Sequence, residues 1–261
     1  MKLYVINLDR SPDRLDRLEK IFGNLNLGFT RVAAIDGLHL DEKFIADVRR
    51  NQLWPDPLTR GEIACFLSHR AVLEKVATGD DDFAAIFEDD VILSGDAGDF
   101  LNNDLWIPAG ADIIKIETHN KKVWLGKSQS LKEGYQIAPL KSRHIMAAGY
   151  IVSRQAAKRL CAMMGKITFP FDHFLFNPKC HVFEHFEMWQ LDPAIVRQAG
   201  LISTLSDDRI KIDRENKSKR VASKTLRREI KRFFSRAKIG LWGIYVNYLT
   251  HGHWKRVKYK P

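Results

Sequence analysis

The chain of 261 residues is poor in cysteine, and its three, Cys65, Cys161 and Cys180, stand far apart with no Cys-x-x-Cys pair. That spacing excludes a disulfide scaffold and a cysteine-based zinc site, and it fits a reducing cytoplasm. No stretch approaches the roughly 18 uncharged apolar residues of a membrane-spanning helix. The start, Met1 to Arg10, meets a charge after a short apolar run that reads as a strand, so no secretory signal is expected. A glycine-rich phosphate loop, an internal repeat and a long low-complexity linker are also missing.

Acidic residues are scarce at one end only. From Arg209 to Pro261 there are 17 basic and 3 acidic residues, a balance of +14 within a formal net charge of +10. The first 208 residues carry 25 basic and 29 acidic residues, a balance of −4. A length of about 200 residues is enough to bury a full core. With 45% hydrophobic and 10% aromatic residues, the chain reads as globular. The expected organisation is one domain over residues 1–208 and a basic, aromatic tail over residues 209–261.

The body alternates strand and helix patterns. Leu3 to Leu8 reads as a buried parallel strand, followed by a helix that Ser11 caps, Pro12 starts and Gly23 ends. Phe29 to Ile35 reads as a second strand, closed by Asp36-Gly37. A helix from about Arg60 to Ala77 leads to the strand Phe83 to Phe87. Ile113 to Ile116 and Ala147 to Val152 read as strands, and Arg154 to Met164 as a helix. Residues 167–192, rich in Phe, His and Pro, read as loops around a site. The pattern implies an α/β sheet covered on both faces, with ligands beyond the carboxyl ends of its strands.

Glu88-Asp89-Asp90 ends one such strand and is the sharpest chemical feature. A buried strand ends in three carboxylates where that end is solvated or where a cation sits. If the extended geometry persists, Glu88 and Asp90 project together. Two hard oxygen ligands on one side suit manganese or magnesium, with positions left for water and substrate phosphates. Arg10 and Arg14, beside the first helix start, offer a second anion site. An acidic turn, and a solvated helix face, are the plain structural alternatives for these two features.

With those residues goes a set of motifs in order: Val5-Ile6-Asn7-Leu8 with Arg14 downstream, Gly61-Glu62-Ile63-Ala64-Cys65-Phe66-Leu67-Ser68-His69, Phe87-Glu88-Asp89-Asp90-Val91, Ala148-Gly149-Tyr150-Ile151-Val152-Ser153, Phe171-Asp172, and Leu191-Asp192-Pro193-Ala194 with Gln198. Over roughly residues 2–209 the chain resembles glycosyltransferase family 25, the bacterial lipooligosaccharide galactosyltransferases. The resemblance implies a GT-A type, Rossmann-like nucleotide-sugar fold with the acidic triplet as its metal-binding element. It also implies transfer of a hexose, commonly galactose from UDP-galactose, with inversion. Glu88 and Asp90 are then the metal ligands. The implied nucleotide-sugar pocket draws on Asn7, Leu8, Arg10, Arg14, Asp36, Gly37, Glu62, His69, Asp89, His144 and Gln198.

Inversion by a single displacement needs a base for the acceptor hydroxyl. Asp172 is the first choice for it and Glu117, after the strand Ile113 to Ile116, the second; a helix N-cap is the structural alternative for Asp172. His69 reads equally as a hydrogen-bonded core residue, and Cys65 as packing. His173, His181 and His185 invite a zinc site, but Val182 stands where the zincin pattern needs Glu.

In the tail, Leu226, Ile230, Phe233, Phe234, Ala237, Leu241, Tyr245 and Leu249 recur at helical spacing between basic residues, with Gly240 and Gly243 as kinks. Such a stripe, with Trp242, Tyr248 and Trp254, suits an anionic membrane surface and a lipid-linked oligosaccharide acceptor on the inner face of the cytoplasmic membrane. Packing on the body is the plain alternative. A nucleic-acid-binding protein with an inactive α/β body is the rival from another class. A nucleotidyl or phosphoryl transferase would need a second metal cluster or a phosphate loop, and neither is visible.

Overall fold

The computed structural model describes residues 1–132, 134–200 and 252–261. Its first half runs β1 (Lys2–Asn7), α1 (Pro12–Asn24), β2 (Thr30–Ala33), α2 (Glu42–Asn51), α3 (Arg60–Thr78), β3 (Phe83–Glu88), β4 (Val91–Leu93) and α4 (Ala97–Leu101). There follow β5 (Ile113–Lys115), β6 (Lys122–Leu125), β7 (Gln129–Ser130), β8 (Gln136–Pro139), β9 (Gly149–Ser153), α5 (Arg154–Met163) and α6 (Phe171–Phe176). Last come β10 (Met188–Asp192), β11 (Val196–Gln198) and β12 (His253–Arg256). No helix among the described residues is long and apolar enough to cross a membrane.

Eight strands form one sheet in the order β2-β1-β3-β9-β5-β10-β8-β7. The β2, β1 and β3 strands are parallel, as their apolar runs lead one to expect. The sheet as a whole is mixed, because β9 enters antiparallel between β3 and β5, and β8 lies antiparallel on β10. Side chains alternate across it and feed two cores. Ile6, Ala84, Ile86, Ile113, Tyr150 and Val152 join α3, α5 and α6 in one cluster. Leu3, Val5, Ala85, Phe87, Ile114 and Ile151 join α1 and α4 in the other.

Local chemistry sets several boundaries. At α3, Thr59 Oγ1 accepts from Glu62 N (3.0 Å) and Glu62 Oε2 accepts from Thr59 N (2.9 Å), a reciprocal capping box. At α1, Pro12 takes the first turn, but the Ser11 side chain makes no capping bond. The turn is held instead by Ser11 N donating to Leu8 O (3.0 Å) and by Asn7 Nδ2 donating to Ser11 O (3.1 Å). Gly23 lies inside α1, which continues to Asn24.

Two expectations are corrected. The stretch 167–192 is not all loop: it contains α6 and β10, and β10 pairs with both β5 and β8. Four of its five residues are buried on the two faces of the sheet, which erases the alternation by which a half-buried strand is recognised. The end of the chain, grouped with the tail by charge, returns to the body as a strand. There β12 pairs antiparallel with β6, and Trp254 stands opposite Trp124. Val257 is buried, and Ala194 exchanges backbone bonds with Lys258 O (2.8 Å) and Lys260 N (3.1 Å). Trp254 is thus half-buried in a strand paired with the body. The stripe from Leu226 to Leu249 lies outside the described residues.

Gly149 opens β9, and a Cβ placed there would stand 2.7 Å from Val196 Cγ1 and 3.0 Å from Val196 Cβ. Because the branched valine cannot swing both atoms away, Gly149→Ala is expected to cost about 1–3 kcal/mol of stability. Urea denaturation measures it, and an unchanged midpoint would contradict the close approach of β9 and β11.

Candidate active site

The alternation of β3 distributes the acidic triplet. Ala84, Ile86 and Glu88 face the helices α3 and α6, while Ala85, Phe87 and Asp89 face α1. Glu88 accordingly reaches α3, where Cys65 and His69 are one turn apart. His69 Nε2 stands 3.2 Å from Glu88 Oε1, and Cys65 Sγ donates to the same oxygen at 3.9 Å. The buried His69 ring stacks on Phe171 (3.9 Å between centroids, 9° between planes), and its Nδ1 lies 3.1 Å from the Tyr150 hydroxyl. Burial drives its pKa down to about 3, so the ring is neutral at physiological pH.

Asp89 points the other way and is consumed by structure. Its carboxylate accepts from Asn7 Nδ2 (2.8 Å) and Arg14 (3.0 Å), while Arg17 donates to Asp89 O and Val91 O. The strand ends at Glu88 and the chain turns at Asp89 and Asp90. The extended geometry that would carry Glu88 and Asp90 side by side therefore stops one residue short.

Glu88, Asp89 and Asp90 line a cleft of about 170 Å³ together with Leu8, Arg10, Arg14, Asp36, Gly37, Cys65 and His69. Arg10 donates to Asp36 Oδ2 at 2.6 Å, and this bond holds the Asp36 carboxyl below its usual value. Gly37 has no room for a side chain, since a Cβ would lie 2.9 Å from the carbonyl oxygen of Arg60.

A second acidic group lies behind the first. Lys115 and Glu117 follow Ile113 on the α6 side, both fully buried, with Lys115 Nζ 3.2 Å from Glu117 Oε2. The ammonium also reaches Met146 O and lies 4.3 Å from the centre of the Phe176 ring. Glu117 Oε2 accepts from Ala148 N (3.0 Å), while its Oε1 is buried without a partner. Asp172, at the start of α6, accepts from Met146 N at 3.2 Å. Burial, and then the charges of Asp172 and Asp89, raise the Glu88 pKa to about 7. Burial, then Glu88 and Asp89, raise Asp90 to about 7.

The expected residues thus divide. Leu8, Arg10, Arg14, Asp36, Gly37, His69, Glu88, Asp89 and Asp90 meet in the cleft. Asn7 does not line it: it is 1% exposed beneath Asp89 and serves as a strut. Glu62 closes the capping box of α3 and is absent from the lining as well. His144 is buried against Gln190 Oε1 (2.7 Å), and Gln198 lines a separate cavity. Asp172 is in the first turn of α6, where Pro170, not Asp172, is the cap residue. His181 is exposed beside Glu184, and His173 bonds to Asn177, so the three histidines form no cluster.

Cys65, expected as packing, faces the cleft, where its sulfur and the ligand atoms of His69 and Glu88 lie within 4.8 Å of one another. Lys115 and Tyr150 are not among the expected site residues, although Tyr150 stands in one of the motifs and a lysine inside an apolar strand was the available signal for Lys115. Two buried carboxylate oxygens without partners, Asp90 Oδ1 and Glu117 Oε1, lie in this acidic region. A hard divalent cation at Glu88 and Asp90 would draw on such carboxylate oxygens, whereas the ligand atoms that converge among the described residues are the mixed sulfur, nitrogen and oxygen set of Cys65, His69 and Glu88.

The model for glycosyltransferase family 25, described as LPS biosynthesis proteins, matches residues 1–175. The lipooligosaccharide biosynthesis protein lic2B of Haemophilus influenzae is 31% identical over 211 residues, covering 76% of each chain. The lacto-N-neotetraose biosynthesis glycosyltransferase LgtB of Neisseria gonorrhoeae is 29% identical over 209 residues, 76% of this chain and 74% of that one. A solved glycosyltransferase involved in glycosylation of the major capsid of PBCV-1 covers 82% of this chain and 97% of its own, at a TM-score of 0.43 and 11% identity. That likeness is too loose to carry an assignment.

The raised carboxylates give the metal-free protein a pH signature. A carboxyl whose folded pKa lies above its unfolded value loses stability as pH rises from the ordinary carboxylate range to the folded value, here about 7. Glu88→Gln removes that loss. Thermal melts are expected to favour the variant over the parent chain at pH 8 and to bring the two together near pH 5. A difference independent of pH would contradict the burial of this charge.

Proposed function

The chain belongs to glycosyltransferase family 25, and from that premise we propose that it moves galactose from UDP-galactose, with inversion, onto a lipid-linked lipooligosaccharide core glycan. The support is the cleft at the end of β3, where carboxylates, two arginines and the first turn of α1 converge. In this reading the sheet is of the GT-A type, and the enzyme works from the cytoplasm, bound peripherally to the inner face of the membrane.

Arg10 and Arg14 line the cleft, and their guanidinium groups suit the diphosphate of the donor. Glu88 and Asp90 would hold manganese or magnesium, which when bound supplies charge neutralisation for the departing diphosphate. His69, fixed between Tyr150 and Phe171, holds the Glu88 carboxylate in one orientation.

A base must accept the proton of the acceptor hydroxyl as that oxygen attacks the anomeric carbon. Asp172 fits the role better than Glu117. Asp172 is partly exposed, its two oxygens accepting from Met146 N and His173 N, whereas Glu117 is enclosed and tied to Lys115 and Ala148 N. Glu117 is then a positioning residue, holding Lys115 beneath the acidic group.

The carrying observation is the joint presence of Arg10, Arg14, Glu88 and Asp90 in one cleft. Calorimetric titration with UDP is expected to give binding that manganese strengthens at least about tenfold, with the gain lost in Glu88→Ala and Asp90→Ala. Equal binding with and without metal in all three proteins would refute the role of the triplet. Salt-sensitive binding to nucleic acid without UDP binding would favour the rival reading.

For the tail, flotation with anionic liposomes is the test. Truncation after Asp208 would remove β12, so charge reversal is cleaner: Arg227, Arg228, Lys231 and Arg232 changed to Glu. Each basic residue near an anionic surface contributes about 1 kcal/mol, and loss of flotation is expected. Flotation equal to that of the parent chain would exclude the membrane anchor.

A further inference from the structure

Separate from the cleft at Glu88 and Asp90, with no lining residue in common, is a cavity of about 680 Å³ that includes Gln198. Its walls come from the end of β5, from β11 and from the returning C-terminal strand. Arg197, Arg256 and Lys258 supply three cations, with His119 and Tyr259 beside them, and among the described residues no carboxylate lines it. Nearby Lys255 and Lys260 are neutralised by Asp192 and Asp96. Among the described residues no acidic side chain pairs with Arg197, Arg256 or Lys258, whereas most of the arginines around the first cleft are so paired.

The cavity borders the reacting groups. Met146, which lines it, donates its backbone N–H to Asp172. Thr118, another lining residue, directly follows Glu117. Gln198 precedes Ala199, whose N–H donates to Asp90 O at 2.7 Å. The cavity shares no lining residue with the donor cleft, and its lining is one residue removed from Glu117 and in backbone contact with Asp172. The His119 ring is part of that lining, with Nδ1 buried and making no hydrogen bond. The local field is positive as well as polar: burial first, then Lys115, Lys121 and Arg143, depress the His119 pKa to about 4.

We propose that this cavity is the acceptor subsite and that it selects a glycan carrying an anionic group, phosphate or carboxylate, which Arg256 and Lys258 bind. The volume is in the range of small-molecule sites, large enough for more than one sugar unit. An exposed anion paired with two unpartnered cations gains charge-assisted hydrogen bonds that a neutral sugar lacks. The inference rests on the glycosyltransferase reading for the word acceptor, but anion binding by the cavity can be measured apart from catalysis.

The experiment is calorimetric titration of the full chain with glucose 6-phosphate, glucuronate and glucose, in the presence of saturating UDP to fill the donor cleft. The Arg256→Ser/Lys258→Ser double variant is titrated in parallel, with its melting curve as the control for folding. At least one of the two anionic sugars is expected to bind about tenfold more tightly than glucose, and the double variant to lose that margin. Preference for the phosphate or for the carboxylate identifies which anion the acceptor carries. Glucose binding as tightly as both anionic sugars would overturn the proposal, as would a folded double variant that binds them unchanged. Anion binding that UDP abolishes would also overturn it, by assigning the anion to the donor cleft. Failure of UDP itself to bind would count against the donor reading, while anion binding and its loss in the variant would still decide this one.

Discussion

Too many carboxylates share too little water at the ends of β3 and β5, and much of the structure answers that constraint. Burial first, and then repulsion among them, raises Glu88, Asp90 and Glu117, with the charge of Asp172 acting on Glu88 as well. The fully buried Lys115 offsets part of it, at the cost of its own desolvation. Protons account for more, since Glu88 and Asp90 titrate near 7 rather than in the ordinary carboxylate range. In the proposed donor site this centre would exchange those protons for a cation.

The pleat of the sheet decides how the remaining groups are used. Consecutive residues of β3 face opposite cores, so Glu88 is delivered to α3 and Asp89 to α1. One side gains a chemically varied pocket of Cys65, His69 and Tyr150. The other becomes a brace in which Asn7, Arg14 and Arg17 fasten β1 and α1 to the turn after β3. The same alternation aims Lys115 and Glu117 together toward α6. Asp172 then completes the group because α6 packs its Phe171 and Phe174 against Phe66 of α3.

Much of this was legible from local patterns. Strand β1, helix α3 and strand β3 follow from apolar periodicity and from the caps at Thr59 and Gly79, which act within a few residues. The acidic triplet announced itself as three charges at the end of a buried run. Strand β10 was not legible, because its alternation vanishes between two covered faces. The uses of Asn7 and Glu62 were hidden for a related reason: each forms a hydrogen bond that competes with any ligand role, and no motif reveals a bond across 82 residues such as that from Asn7 to Asp89.

Charge counting separated an acidic body from a basic end, and composition alone determined that division. It could not determine that the last ten residues return to pair with β6 and close a cavity, since strand pairing is settled by backbone partners and buried area rather than by net charge. Sequence by itself determined which chemical groups the protein possesses: the carboxylates, the arginines, the lone histidine on α3. Tertiary structure alone decided which of them face one another, and therefore which carry a perturbed pKa. Proximity across the sheet depends on register and on which face each side chain takes, and neither can be read from separation along the chain.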